Sequence, residues 1–287
     1  MPHETVDVGQ IRISALLDVD VPDEPVTDAF PGAPPDALLA AKQTYPDIYG
    51  ANDVWRLRVR AWLVRHPDGV LLVDTGVGPP SSPAMAWCPA PGSLLAALAE
   101  VDASPEDVDT VAITHSHLDH VGGALLTDGS PAFPRARYLI QRADHEWERE
   151  AAATGDAEAA ATWIGLLQPL SDAGVLDVID GDHRLTDAIE LHHLPGHTPG
   201  HQVVRFQSGD ARALISADTW NHPVQLVHPD WYASSDDDPA AAEASRRALL
   251  TEVGDVMVAP THFAEAFGSI RVVDGDVMWE PAGSSSS

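Results

Sequence analysis

The chain alternates short apolar runs with polar segments, and the spacing of the apolar positions predicts its elements. Period-two alternation over residues 5–20 predicts opening strands. The same alternation over 55–64 predicts a strand that pairs with 70–73 across the turn Pro67-Asp68-Gly69. Further strands are expected near 137–140, 175–179, 188–193, 202–207, 212–216 and 256–260, and a closing hairpin is expected across Asp274-Gly275.

Helical spacing predicts the connections between these strands. Ser93 is expected to cap a helix with Leu94, Leu95, Leu98 and Val101 on one stripe, and Ser104-Pro105 to begin a shorter one. Two helices are predicted at about 143–153 and 156–168, and a third from Asp238-Pro239 to about 253. Because strands and then helices occur twice, the pattern predicts an α/β (α+β) fold of two sheet-plus-helix halves stacked face to face.

Two segments interrupt this pattern. Residues 21–53 are rich in proline and aspartate and predict a long irregular excursion, partly helical around 36–43, that could serve as a lid or a dimer arm. Residues 79–91 are rich in proline and predict a loop near the mouth of a site. We expect a single domain over 1–282 and a disordered tail over 283–287.

The most informative segment for chemistry is Thr114–Gly123, which follows the apolar run 111–113. It carries His115, His117, Asp119 and His120 within six positions. Imidazole and carboxylate groups are ligands for divalent metals, zinc above all. The first two histidines alternate on a chain leaving a strand, and the following turn can bring the other two ligands to a second point nearby. The loop therefore predicts two adjacent metal positions, which could convert a bound water to hydroxide near neutral pH.

The motif His-x-His-x-Asp-His resembles the signature of the metallo-β-lactamase superfamily of metallohydrolases. Four further segments resemble motifs of that superfamily in the expected order: Leu71–Gly76, Leu194–His201, Ser216–Thr219 and Ala259–His262. The resemblance implies a four-layer αββα sandwich with two divalent metal ions as cofactors. Zinc is the expected metal, with manganese, cobalt and iron as alternatives.

The resemblance also implies which residues hold each ion. One ion would be bound by His115, His117 and His197, the other by Asp119, His120 and His262, and Asp218 would bridge them. The local pattern agrees, because Asp218 and His262 each follow an apolar, strand-like run, and sites in layered α/β proteins form beyond strand ends. Asp218 or a nearby carboxylate, such as Asp119, is expected to shuttle the proton during hydrolysis.

Histidines and one aspartate outside this set are given supporting roles. The resemblance implies that Asp74 orients a metal-bound group, and His201 is interpreted as a structural residue and not as a ligand. His192 and His193 are expected to point to opposite faces of a strand, one buried and one exposed.

Charge and cysteine content restrict the binding partners and the cellular location that we expect. The formal net charge is −28, and Lys42 is the single lysine. Such a surface repels phosphates, so we expect no nucleic acid and no membrane partner. The single cysteine, Cys88, cannot form an internal disulfide, no apolar run approaches the ~20 residues of a membrane span, and the first residues do not resemble a signal peptide. A cytoplasmic location is therefore expected.

The segment after Asp218 gives the best indication of the substrate. Together with 236–239, Arg246-Arg247 and 275–281, it resembles the methyl parathion hydrolase branch, which sits close to the N-acyl-homoserine lactonases. Both groups cleave compact, mostly uncharged esters. The lactonases place a tyrosine three residues after the bridging aspartate, whereas this chain has Asn221, followed by His222. Either residue could donate a hydrogen bond to the substrate carbonyl or line the loop. Candidate wall residues for an apolar pocket are Phe30, Trp87, Trp147, Trp163, Trp220 and Trp231.

These observations favour a dinuclear hydrolase of small uncharged esters, a lactonase of the quorum-quenching type with phosphotriesterase activity. Alternatives are an organophosphate hydrolase, a glutathione thioester hydrolase of the glyoxalase II kind, a β-lactam hydrolase, a mononuclear iron persulfide dioxygenase, and an inactive metal-binding homologue. Metal stoichiometry separates the dioxygenase from the hydrolases. Homodimerisation stays open.

Overall fold

The computed structural model describes residues 4–254, 256–273 and 276–283, and within them two mixed sheets stack face to face. The first sheet contains, in spatial order, β1 (Thr5–Val8), β2 (Ile11–Pro25), β3 (Val54–His66), β4 (Gly69–Val73), β5 (Thr110–Ala112), β6 (Arg137–Gln141) and β7 (Leu176–Ile179). The second contains β8 (His183–Thr186), β9 (Ile189–His193), β10 (Gln202–Ser208), β11 (Ala211–Ala217), β12 (Met257–Pro260), β13 (Gly268–Val273) and β14 (Asp276–Pro281), also in spatial order.

Helices cover the outer faces of both sheets. They are α1 (Val26–Ala29), α2 (Pro35–Ala41), α3 (Leu94–Glu100), α4 (Leu118–Val121), α5 (Arg142–Thr154), α6 (Ala157–Thr162), α7 (Gln168–Asp172), α8 (Val224–Val227) and α9 (Pro239–Leu250). Short 3-10 turns lie at Pro46–Ile48, Ala51–Asp53, Pro83–Ala86 and Pro105–Asp107. Among the described residues no helix is both long enough and apolar enough to cross a membrane.

Three apolar cores separate four layers, which confirms the predicted αββα sandwich. The alternation of β3 shows how one strand serves two of them: Leu63 packs toward the helices, while Trp62 and Val64 pack between the sheets. The second sheet completes the middle core with residues such as Phe206 and Ile215, and α9 covers its other face. Because the middle core draws on both sheets, we propose that residues 1–282 form a single domain.

Most predicted strands are confirmed. β3 and β4 form the expected hairpin, with Val64 opposite Leu71, and β13 pairs antiparallel with β14. The predicted turn residues Asp274 and Gly275 lie outside the described residues, as do residues 284–287 of the predicted tail. The sequence pattern did not indicate β8, a four-residue strand of half-buried and exposed side chains.

The helix predicted over 156–168 is instead interrupted. A π-helical turn, Trp163–Leu167, joins α6 to α7. Pro169 lies in the first turn of α7 and has no N–H to donate to Gly165, so a regular helix cannot continue through this point.

Ser93 occupies the N-terminal position of α3, but the prediction that its side chain caps the helix is wrong. Its hydroxyl donates to the carbonyl of Asp18, at 2.7 Å, while the Asp18 carboxylate accepts the Leu94 N–H, at 2.8 Å. The predicted apolar stripe is also incomplete, because Leu95 is 45% exposed. A carboxylate 75 residues away supplies the cap, and local spacing cannot reveal such a partner.

The excursion predicted over 21–53 is shorter than expected, because β2 continues to Pro25. The remainder packs on its own chain, with Phe30, Leu38 and Ile48 buried in the core under the first sheet. The prediction that one of His192 and His193 is buried and the other exposed is wrong, because both are half-buried. His192 pairs with Asp182 at 2.8 Å, and the His193 Nε2 lies 2.9 Å from the Pro199 carbonyl.

Candidate metal centre

The loop after β5 folds tightly enough to present four ligand side chains in one place. His115 and His117 lie between β5 and α4, with the backbone of His117 extended. The helix α4 begins at Leu118 and carries Asp119 and His120 in its first turn. The backbone passes so close to the segment after β4 that a Cβ on Gly123 would lie 2.1 Å from the Thr75 carbonyl oxygen. Only glycine fits there, which explains the Gly-Gly pair that ends the motif.

Three imidazoles converge on one point. The His117 Nδ1 lies 3.1 Å from the His115 Nε2 and 3.0 Å from the His197 Nε2. Tetrahedral zinc with Zn–N bonds of 2.0–2.1 Å separates its nitrogen ligands by roughly 3.3 Å. The three nitrogens therefore fit a single small cation with little rearrangement.

A second group forms beside the first. His120, Asp119 and His262 have ligand atoms that lie within 4.8 Å of one another. The Asp119 Oδ2 is 3.5 Å from the His120 Nε2 and 3.6 Å from the His262 Nε2. This group matches the second ligand set that the resemblance implies.

Asp218 lies between the two groups. Its Oδ2 is 2.9 Å from the His262 Nε2 and 3.4 Å from the His197 Nε2, and its Oδ1 is 3.2 Å from the His120 Nε2. The Asp218 Oδ1 and the His120 Nε2 are both buried and make no hydrogen bond among the described residues. Buried polar atoms that face one another without a hydrogen bond are expected where a cation binds between them. The structure thus brings all seven predicted ligands together, with the donor set of a two-cation site.

Burial and neighbouring charges favour the ligand forms of His115, His117 and Asp119, whereas at His120 and His262 the nearby carboxylates, Asp218 first among them, outweigh burial and raise the pKa of both imidazoles. Burial lowers the pKa of His117 to about 3 and that of His115 well below its usual value, so both imidazoles are neutral at physiological pH. Burial opposes ionisation of Asp119, yet the nearby His120 and His262 lower its pKa to about 2. Neutral imidazole and ionised carboxylate are the forms that bind metals.

Neighbouring carboxylates hold the outer nitrogens of two ligands. The Asp74 Oδ2 lies 2.8 Å from the His120 Nδ1 and also accepts from the Thr114 hydroxyl, which agrees with the orienting role expected of Asp74. The Asp236 Oδ1 lies 3.0 Å from the His197 Nδ1. Such contacts fix the ring orientation and the tautomer of a metal-binding histidine.

Two buried arginines extend this support, and neither was identified from the sequence as a supporting residue. Arg246 pairs with Asp236 at 2.5 Å and donates to the Thr219 carbonyl just after Asp218. Arg60, in the middle of β3, donates to the carbonyls of Thr261, Phe263 and Ala264, which surround His262. Alternating arginines in β3 were visible in the sequence, but the partners of Arg60 lie about two hundred residues further along the chain.

Asp144 was also missed, although it ties the two histidine loops together. Its carboxylate accepts the N–H of Ser116, at 3.0 Å, the hydroxyl of Thr198, at 2.9 Å, and the N–H of Gly200. Burial raises the pKa of this carboxyl group to about 6. An aspartate in the first turn of a helix usually stabilises that helix, so no sequence signal separates it from an ordinary one.

His201, Asn221 and His222 take different positions around Asp218. The His201 Nε2 accepts the Asp218 N–H, at 3.2 Å, which agrees with a structural role. The Asn221 amide donates to the Asp218 Oδ2, at 3.0 Å. His222 is fully buried, and its ring packs edge-on against the aromatic rings of Phe30, Tyr45 and Tyr49.

A cavity of about 450 Å³ opens beside this centre. Its described lining includes His117 and Asp119 from the metal groups. Trp87, from the loop predicted to lie at the mouth, and Trp147 also line it, whereas Trp220 and Phe30 are buried in the core. Asn221 and His222 are not part of the described lining. A larger cavity, about 660 Å³, lies near β8–β11 and contains none of the predicted ligands.

A four-layer αββα sandwich with paired His/Asp groups beyond its strand ends defines a class of metal-dependent hydrolases. The chain belongs to the metallo-beta-lactamase superfamily, whose family model matches residues 54–262.

Named relatives narrow the comparison. N-acyl homoserine lactonase AttM of Azorhizobium caulinodans is 29% identical over 249 residues, which cover 77% of this chain and 88% of the relative. The human acyl-coenzyme A thioesterase MBLAC2 is 29% identical over 240 residues, 75% of this chain and 76% of the relative. The structure of AidC, described as a dizinc quorum-quenching lactonase, superposes with a TM-score of 0.82 at 23% identity over 97% of both chains. The likeness to this structure establishes the fold, and the lactonase relatives confirm the resemblance to that branch.

Proposed function

We propose that this chain hydrolyses small esters, lactones above all, with two divalent cations held by the paired His/Asp groups. His115, His117 and His197 would hold one ion, and Asp119, His120 and His262 the other, with Asp218 shared between them. Zinc suits this mixture of imidazole and carboxylate ligands, and manganese, cobalt or iron would also be accommodated. Phosphotriester hydrolysis is proposed as an accompanying activity, since it needs the same polarised oxygen and hydrolytic water.

One observation carries the proposal: Asp218 contacts imidazoles of both groups, at 2.9 and 3.4 Å through its Oδ2 and at 3.2 Å through its Oδ1. A carboxylate in that position suits two cations and not one. Lactonases among the relatives support the choice of ester class.

When bound, the cations would polarise a carbonyl or phosphoryl oxygen and lower the pKa of a water molecule. The residues of the chain supply position and proton transfer. Asp119 lines the cavity and its side chain is 14% exposed, compared with 4% for Asp218. Asp119 is therefore the better placed of the two to exchange a proton with the cavity, while Asp218 is held by the Asn221 amide and the His201 ring.

Neither Asn221 nor His222 is placed to give the substrate the hydrogen bond that a lactonase tyrosine would give. Asn221 donates to Asp218, and His222 is enclosed by aromatic rings outside the cavity lining. We propose Asn221 as a positioning residue for Asp218, and we assign His222 to the support of the loop that follows it.

The test is hydrolysis of a lactone panel and a phosphotriester panel by zinc-loaded protein, with metal counted on the same sample. Two ions per chain with clear lactone turnover is the expected result. An acyl-coenzyme A thioester belongs in the panel because of the thioesterase relative.

Other results would redirect the proposal. Two ions with phosphotriester turnover alone would make organophosphate hydrolysis the main activity. One iron per chain without hydrolysis would indicate a dioxygenase, and a fully loaded but inert protein would indicate a metal-binding homologue. Full activity in a metal-free Asp218→Ala variant would exclude the mechanism.

A further inference from the structure

The cavity beside the metal centre has an unusual lining. Besides the proposed metal ligand Asp119, carboxylates line it from α5, from the start of α6 and from the segment before α9: Glu148, Asp156, Glu158 and Asp237. Among the described residues that line it there is no lysine or arginine, and His117 is its only imidazole. A cavity of this kind creates a negative potential where the part of the substrate remote from the scissile bond would lie.

Glu148 is the member that requires explanation. It is 7% exposed, and one carboxylate oxygen accepts the Ser116 hydroxyl at 2.6 Å. The second oxygen has no hydrogen bond among the described residues, although the side chain lines the cavity. Burying a carboxylate without a cation is costly, and a positively charged ligand would remove that cost.

Two indoles add an independent feature. Trp87 and Trp147 line the same cavity and remain 41% and 51% exposed. Large aromatic side chains that stay exposed beside a cavity are placed to contact a ligand, and the faces of indole rings attract organic cations. Aromatic rings together with carboxylates form the common recognition unit for ammonium groups.

We propose that the preferred substrates of this site are esters or lactones that carry an organic cation, an ammonium or quaternary ammonium group, which lies between Glu148, Asp237 and the indoles of Trp87 and Trp147. The inference rests on the proposed ester hydrolysis and names the substrate class within it. It also sets this chain apart from its thioesterase relative, because the phosphates of coenzyme A would be repelled by the same carboxylates.

The experiment compares three propionate esters with zinc-loaded protein. Propionylcholine carries a trimethylammonium group, 3,3-dimethylbutyl propionate is its neutral isostere, and a carboxylate-bearing ester of similar length is the anionic member. We expect kcat/KM to fall about tenfold or more from the cationic to the neutral ester, and further to the anionic one. The preference should shrink at about 1 M salt, where the Debye length is about 3 Å.

Variants locate the source of the preference. Glu148→Gln removes the charge and keeps the oxygen that accepts the Ser116 hydroxyl. Asp237→Asn removes the charge of an exposed carboxylate at the outer wall of the cavity. Each should reduce the ratio of cationic to neutral kcat/KM about threefold to tenfold. Asp210→Asn, an equal change of charge at an exposed position in the β10–β11 turn, should leave the ratio unchanged.

Binding of tetramethylammonium, measured by calorimetry on the metal-loaded protein, separates this inference from the proposed function. If no ester is hydrolysed but tetramethylammonium binds, and binds more weakly to Glu148→Gln, the cation site stands and the ester chemistry fails. If esters are hydrolysed with a ratio near one at low salt, or if Glu148→Gln and Asp237→Asn leave the ratio unchanged, the inference is overturned while the hydrolase stands.

Discussion

The candidate metal centre and the wall of the adjacent cavity differ in how fully the protein itself buries and pairs their polar groups. In the centre, the proposed ligands are buried, and neighbouring carboxylates fix the orientation of their rings. Asp74 contacts His120, and Asp236 contacts His197. In the wall, Trp147 and Asp237 are exposed, and even buried Glu148 keeps one oxygen without a partner among the described residues. The centre is organised before any substrate arrives, whereas the wall leaves its polar groups for a ligand to satisfy.

This difference predicts that substitutions in the two regions change the hydrolysis rates in two different ways. A residue of the centre would act through the proposed ions, which every substrate shares, so its loss should affect all substrates alike. A residue of the wall acts on one part of the substrate, so its loss should change the relative rates. The following substitutions test that distinction, beginning with the largest effect.

Asp218→Ala removes the carboxylate shared by both groups. We expect kcat/KM to fall about a thousandfold or more for every ester, since several kcal/mol of charge stabilisation depend on the ions that it holds. Metal content should fall below two per chain, measured by elemental analysis beside the kinetics. Selective loss of one substrate would contradict the distinction.

Asp74→Asn weakens the contact that orients the His120 ring and leaves all seven predicted ligands unchanged. Asparagine tolerates the left-handed backbone of this position, at φ +64°. It keeps one accepting oxygen and replaces the other with an NH2 group, which cannot accept from Thr114 or His120. Metal affinity at the group containing His120 should fall about tenfold to a hundredfold. Chelator titration measures it, and an unchanged affinity would mean that Asp74 serves Thr114 alone.

Glu148→Gln should change the pH dependence of stability. Burial raises the pKa of Glu148 from 4.5 to about 7, so between these values the folded protein binds the proton more tightly than the unfolded chain. Stability from this group is present below pH 4.5 and is lost as pH rises through about 7. A pKa difference of that size corresponds to about 3 kcal/mol. Relative to Glu148→Gln, the wild type should lose roughly that much between pH 4.5 and 8.

Denaturant unfolding of the metal-loaded wild type and of metal-loaded Glu148→Gln at several pH values measures this difference. Both proteins have the same metal ligands, so the contribution of those ligands to the pH dependence largely cancels when one is subtracted from the other. Asp210→Asn is again the matched control. A difference that stays constant with pH would place the Glu148 carboxylate in water.

Trp147→Leu should have the smallest effect. The side chain is 51% exposed, so the free energy of unfolding should change by no more than about 0.5 kcal/mol. If the indole contacts substrate, KM for a cationic ester should rise about twofold to fivefold with little change in kcat, in line with a cation–π contact at an exposed site. Equal changes for cationic and neutral esters would assign it a purely apolar contact.

The same contrast explains what the sequence could predict. His115, His117 and His120 share one short loop, and Asp218 and His262 each follow an apolar strand, so the local pattern agrees with the ligand set that the family resemblance implies. Alternation likewise predicts the β3–β4 hairpin, because a strand with one apolar and one polar face leaves a period-two pattern.

Residues that act across long sequence distances left no such pattern. Asp18 caps α3 from β2, Arg60 holds carbonyls around His262, and Asp144 joins the loops of Ser116 and Thr198. Each lies among other polar residues of its element, such as the further arginines of β3, so the local pattern does not distinguish it. Their partners are set by how the sheets stack, and tertiary packing is what local propensity cannot describe.

The order of the two sheets along the chain has a consequence for assembly. Residues up to β7 build one whole sheet and those from β8 onward build the other, so a break near residues 180–182 would divide the protein between complete sheets. Each proposed ligand set would be split by that break, with His197 and His262 on one fragment and the remaining histidines on the other. Two such fragments should associate far more tightly when zinc is supplied, which would make the ion a reversible switch for reconstituting the protein from its halves.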